Sequence, residues 1–197
     1  MADKYFRFDA SRIKSGGVGG RMLSVQLTND KAKDIHNGFI GFAGSFRKDE
    51  TEIRDLLIPT TELIKSEVPV IVHKEEINYE EKSRVDYNLG EFVNKAGKPV
   101  RAYTLEKLDE ATFSEDFFDL TGKSNGKIEV GDCFAIQASD VEGEQLKYSA
   151  TAPTSANAKC YFKVTAVEDA WIANYVHSDG NRFPKPYKLV TVEVIIL

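Results

Sequence analysis

Apolar and polar residues alternate in short runs through most of the chain, with turn residues about every eight to twelve positions, the spacing of an all-β or β-dominated protein. Met22–Leu27 is the first such run, closed by Asn29-Asp30. In Phe39–Phe46 the small residues Gly41, Ala43 and Ser45 alternate with Ile40, Phe42 and Phe46, which predicts a strand closely approached by another backbone. Ile53–Pro59 and Val68–His73 follow as strands that Pro59 and Pro69 place at edges or ends, and Thr60–Ser66 predicts one helical turn capped by Thr60 or Thr61. In Val100–Leu105, alternation puts Val100, Ala102 and Thr104 on one face and Arg101, Tyr103 and Leu105 on the other.

Beyond Leu105 the period changes. Phe113 and Phe117 stand at helical spacing and predict a short amphipathic helix, with a strand followed by a turn as the alternative. Ile128–Gln137 alternates around a Gly131-Asp132 turn or bulge, Lys147–Ala150 is a short edge, and Lys159–Val167 and Ala170–Val176 read as two strands. Asp179-Gly180-Asn181 turns the chain, and Leu189–Leu197 closes it as a Val/Ile-rich strand tied into a sheet. Leu105–Asp109 and Ile128–Asp132 echo one another, each running from an apolar residue to an acidic turn with an aromatic soon after.

The beginning of the chain reads differently. Tyr5-Phe6-Arg7-Phe8 is followed by Ser15-Gly16-Gly17-Val18-Gly19-Gly20, a segment of maximal backbone freedom. Residues 1–21 are therefore expected to form a flexible N-terminal arm on a barrel- or sandwich-like body of residues 22–197. That body reads as one unit or as two lobes, 22–94 and 95–197. Tyr5, Phe6 and Phe8 are candidate partner-binding anchors; the competing reading folds them back onto their own domain. The glycine cluster is not a phosphate loop, since no apolar strand precedes it and no Gly-Lys-Ser/Thr closes it.

Composition narrows the function. A length of 197 residues, 42% hydrophobic and 29% charged, suits one ordinary core or two small lobes, and a net charge of −5 with a pI near 5.3 argues against sequence-independent nucleic-acid binding. Residues 1–8 lack the apolar segment of a signal peptide and no run reaches membrane-spanning length, so residence in a cytoplasm, or in something assembled there, is expected. Cys133 and Cys160 flank Phe134 and Tyr161 and are expected to be reduced, buried thiols.

The inventory of reactive groups is sparse. His36, His73 and His177 have no ligand-spaced partner, no Cys-x-x-Cys or Gly-x-Ser-x-Gly occurs, and the carboxylates of Lys74–Asp86 have the spacing of a solvated surface rather than of a calcium loop. The expectation is no catalytic site, no metal and no cofactor. Trp171, beside Ala170, Ile172 and Ala173, is expected to be at least half buried against the final strand.

The run Asn88 to Leu105, Asn-Leu-Gly-Glu-Phe-Val-Asn-Lys-Ala-Gly-Lys-Pro-Val-Arg-Ala-Tyr-Thr-Leu, with an acidic turn and Phe113 after it, resembles tailed-bacteriophage head-auxiliary or decoration proteins. The resemblance extends loosely over Leu23–Phe134. Where that pattern has Gly-Asp this chain has Leu108-Asp109, and a closer version stands at Val130-Gly131-Asp132-Cys133-Phe134. The resemblance implies a virion structural protein assembled in the host cytoplasm. It would bind the major capsid protein or other virion subunits, itself included, through shape and buried contacts, and not through membrane or nucleic acid. The alternative is a carbohydrate- or ligand-binding β-barrel with Trp171, Tyr175 and Tyr187 as an exposed stacking platform.

Overall fold

Five strands close into a barrel in the order β2 (Met22–Leu27), β5 (Ile53–Leu57), β4 (Ile40–Phe46), β6 (Val70–Val72) and β8 (Val100–Thr104). The computed structural model describes residues 5–13, 22–27, 33–74, 92–138, 145–176 and 182–197, the side chains of 173–176, 182 and 183 excepted. Alternation sorts the barrel side chains into two layers. Val25, Leu27, Leu56, Val70, Val72, Val100 and Ala102 fill the inside, while Ile40, Phe42, Ile71 and Tyr103 join a second core outside it. The two faces expected for Val100–Leu105 are thereby realised, Tyr103 and Leu105 facing the second core. Gly41 is small because β5 is close: a Cβ there would lie 2.7 Å from Leu56 Cδ1 and 2.9 Å from the Leu57 carbonyl oxygen.

The expected helical turn is α1 (Thr61–Ser66), where Thr60 Oγ1 accepts from the Leu63 N–H at 3.3 Å. Pro69 then leads into β6, at the strand start where a missing N–H costs least. Two short strands that alternation did not reveal, β3 (Ile35–His36) and β7 (Val93–Asn94), pair antiparallel beside the barrel.

The second sheet has seven strands. Its order is β1 (Phe8–Asp9), β9 (Glu110–Ser114), β14 (Arg182–Ile196), β13 (Cys160–Val176), β11 (Cys133–Ile136), β12 (Leu146–Ser149) and β10 (Phe118–Asp119). Its two end strands, β1 and β10, are two residues long each, while the outer halves of β13 and β14 run on beyond their neighbours. The expected helix at Phe113–Phe117 is instead strand β9 with a single 3-10 turn at Glu115–Phe117. Pairing on both sides, with β1 and with β14, overrides the helical spacing. Lys159–Val167 and Ala170–Val176 are one continuous strand, bulged between Val164 and Ala166, and its partner begins at Arg182 rather than Leu189.

Two further expectations on domain layout change. Residues 5–13 belong to the body, because Phe8 and Asp9 pair with Phe113 and Thr112; residues 14–21 lie outside the described residues. Strand β8, assigned to the second lobe, completes the barrel, so the sheets change over between Thr104 and Glu110 rather than at Asn94. A single aromatic core spans both sheets, with Phe8, Phe42, Phe113, Phe117, Phe134 and Phe162 in one buried cluster.

The echo of Leu105–Asp109 in Ile128–Asp132 is a repeated structure. Asp109 Oδ2 accepts from the Glu106 N–H at 2.7 Å, and Asp132 Oδ2 accepts from the Glu129 N–H at 2.7 Å. Leu108 donates to the Val194 carbonyl at 3.0 Å as Gly131 does to that of Val164 at 2.9 Å, and the Val194 and Val164 amides donate back to the Asp109 and Asp132 carbonyls. Twin turns thus seat the two strands of the central hairpin. They differ where the backbone turns left-handed: Gly131 takes φ 94° freely, whereas Leu108 is held at φ 68°, a region costly for a side chain bearing Cβ. Since Leu108 is 53% exposed, Leu108→Gly gives up little burial and should stabilise the fold by roughly 0.5–1 kcal/mol, while Gly131→Ala should destabilise it by about 1 kcal/mol. Urea midpoints of the two variants check this; a lower midpoint for Leu108→Gly would contradict it.

Candidate functional site

The aromatic residues near the start of the chain are built into its own core. Tyr5, Phe6 and Phe8 are 4%, 8% and 4% exposed. The Ser114 N–H donates to the Arg7 carbonyl at 2.8 Å, the Arg7 N–H to Ser114 Oγ at 2.9 Å, and the Tyr5 N–H to Asp116 Oδ2 at 2.6 Å. Phe8 meets the Phe113 ring at 5.0 Å between centroids and Phe6 meets Phe117 at 5.0 Å, while Tyr5 packs edge-on to Tyr187. Their assignment as partner-binding anchors is therefore corrected: the three rings fill the chain's own core and present no surface to a neighbour.

Trp171 departs from expectation in the opposite sense. It is 67% exposed on β13, and the residue paired with it on β14, Pro186, is exposed as well. Alternation explains the placement. Beyond Leu189, β14 pairs only with β13, and the core-facing row of Val194, Val192 and Val190 continues outward as Lys188, Pro186 and Pro184. Ala170 and Tyr187, one position away, turn to the other face, where Tyr5 and Ile172 bury the tyrosine and Arg7 Nη1 donates to its hydroxyl at 2.8 Å. Trp171 and Tyr187 thus lie on opposite faces and form no common stacking row; the Tyr175 side chain lies outside the described residues.

The amide of Lys188 donates outward to Glu115 Oε1, and those of Val190 and Val194 also point away from β13, so even-numbered amides of β14 face its open side. Pro184 and Pro186 occupy that same set and remove two donors from the edge. The signal was available as two prolines spaced by two within an otherwise strand-forming run.

The reactive side chains are dispersed. Cys133 and Cys160 are free; burial raises both thiols, that of Cys160 to about 12, which leaves them protonated near neutrality. His36 bonds the Phe92 carbonyl through Nδ1 at 3.0 Å, burial lowers its pKa, and its ring lies on Phe6; His73 packs against Phe8 and Tyr103. His177 and residues 75–86 of the acidic segment lie outside the described residues, and among those described no three His, Cys, Asp or Glu side chains cluster as metal ligands. No helix of the described residues is long and apolar enough to cross a membrane.

One concave feature stands beside the barrel, a groove of about 890 Å³ between β2, β7, β8 and the turn joining the last two. Lys74, Lys95, Lys98 and Arg101 line it, and no Asp or Glu does so among the described residues. The turn is fixed. Asp34 accepts from Lys95 Nζ at 2.8 Å and from the Ala96 N–H at 2.9 Å, Gln26 Nε2 donates to the Gly97 carbonyl at 3.0 Å, and Gly97 takes φ 69°. Those bonds and the lysine charge hold the Asp34 carboxyl below its ordinary range. Beneath lies Asn94, 3% exposed, whose Nδ2 donates to the Ile35 carbonyl and to Asn37 Oδ1, while its own Oδ1 has no partner. Lys95, Lys98 and Arg101 were legible only as parts of a turn and a strand; their spacing without an intervening acid was the available signal.

Comparison with family models, with curated proteins and with solved structures gives no match.

The buried N-terminal rings set a stability test. Phe8→Ala should cost about 3–5 kcal/mol and lower the thermal midpoint by roughly 10 °C, since it opens a cavity between Phe113 and His73. A midpoint within two degrees or so of the parent, measured by calorimetry, would contradict this placement.

Proposed function

We propose that this chain is a structural protein of a tailed-bacteriophage particle, a head-auxiliary protein that binds the major capsid protein and performs no catalysis. The observation that carries the reading is the outer half of the β13–β14 hairpin. It runs beyond the last pairing with β9 for roughly 20 Å at about 3.3 Å per residue and bears an exposed indole beside exposed Pro184 and Pro186. An exposed tryptophan on a two-stranded ribbon contributes little to its own fold, whereas such residues dominate protein–protein contacts. With donors absent at Pro184 and Pro186, contact falls on the ribbon's face rather than on strand addition along that edge.

Two other features support the reading. The run that resembles head-auxiliary proteins supplies, in its described part, β7, the fixed turn and the barrel-closing β8. The buried polar side chains serve architecture: Gln145 donates to and accepts from the Ile40 backbone, at 3.0 and 2.7 Å, and Asn37 does the same for Lys74, at 2.8 and 3.0 Å. A carbohydrate platform made of Trp171, Tyr175 and Tyr187 finds less support, because Tyr187 is buried.

Trp171→Ala should lower co-sedimentation with purified particles at least tenfold, a loss of about 1.4 kcal/mol or more, with the thermal midpoint of the free protein unchanged. Wild-type protein present in particles at capsid-related copy number completes the test. Protein that never enters particles, or an alanine variant that sediments like wild type, would overturn the proposal.

A further inference from the structure

The groove beside the barrel has a chemistry that the particle reading leaves unused. We propose that it is a binding site for a small organic anion carrying an apolar body. Four cationic side chains line one cavity in a chain of net charge −5. Among the described residues Lys95 pairs with the Asp34 carboxylate, and Lys74, Lys98 and Arg101 have no ion pair. Cations gathered in one groove repel one another, and an anion placed among them relieves that repulsion.

The rest of the lining selects the kind of anion. Met22, Phe92, Val93 and Pro99 contribute apolar surface, with Met22 37% exposed. A bare phosphate would leave that surface wet; a ligand with an aliphatic or aromatic body covers it. The volume of about 890 Å³ lies within the range of about 300–1,000 Å³ typical of small-ligand sites, which favours a small molecule over a protein segment. The cationic turn is held in place by Asp34 and Gln26, so binding need not first order it. None of this depends on the virion proposal, and its test uses the isolated protein.

The probe is 8-anilinonaphthalene-1-sulfonate, which joins a sulfonate to two aromatic rings. The full-length protein should bind it at one saturable site. Lys98→Glu/Arg101→Glu should weaken binding roughly tenfold at low salt, and raised ionic strength should weaken wild-type binding as well. Lys98→Ala/Arg101→Ala, which removes charge without reversing it, should give a smaller loss at an unchanged thermal midpoint and so separates loss of site from loss of fold. Dodecanoate should displace the probe, inorganic phosphate at equal concentration should not, and Trp171→Ala should leave affinity unchanged. The proposal is overturned if both charge variants bind like wild type, if phosphate competes as well as dodecanoate, or if affinity follows Trp171.

Discussion

The ring of Phe113 is the contact on which the rest of the structure depends. It is fully buried and meets Phe8, Phe117, Phe118 and Phe162 with centroids 5.0 to 6.5 Å apart. These partners come from the first strand, the 3-10 turn, the edge strand β10 and the hairpin strand β13. The same buried cluster takes in Ile40, Phe42, Ile71 and Tyr103 from the outer face of the barrel, so the two sheets have no independent cores on their facing sides. Gln145 adds a polar clamp, its amide group pairing with both backbone groups of Ile40 across that junction as a strand residue would. Removing either group would leave buried backbone donors and acceptors unmet, at about 1–3 kcal/mol each.

On this core the hairpin of β13 and β14 is seated by the two aspartate turns, one on each strand. The seating fixes which face of β14 turns inward. Val190, Val192 and Val194 fall on the core, and the same row must emerge beyond the sheet as Lys188, Pro186 and Pro184. The exposure of Trp171 is thus a consequence of register rather than of local sequence. The hairpin outlasts its neighbours, and the face that is core at its base becomes surface farther out.

Much of this was legible in the alternation. The strands Met22–Leu27, Phe39–Phe46 and Val100–Leu105, the capped turn after Thr60 and the close approach at Gly41 follow from periodicity and turn chemistry alone. What escaped depended on distant partners. Phe113 and Phe117 share a spacing that suits a helix, and only pairing with β1 and β14 makes the first a strand residue. Tyr5, Phe6 and Phe8 precede a glycine-rich run and looked detached, yet a sheet edge beside β9 receives them. Trp171 was read as core because a large indole among Ala and Ile usually is; the mark of where the sheet stops supporting the hairpin lies on the other strand, in Pro184 and Pro186. The groove was hidden for the same reason, since Lys74 meets the Lys95–Arg101 turn only when the barrel closes.

A barrel and a sheet sharing one aromatic core should open as one cooperative unit, and native-state hydrogen exchange reads this directly. In Phe113→Leu the amides of Ile71 in the barrel and Val192 in the sheet should lose protection by the same factor, because both report the same global opening. Loss of protection at Val192 with Ile71 unchanged would show two units that fold separately and would contradict the account.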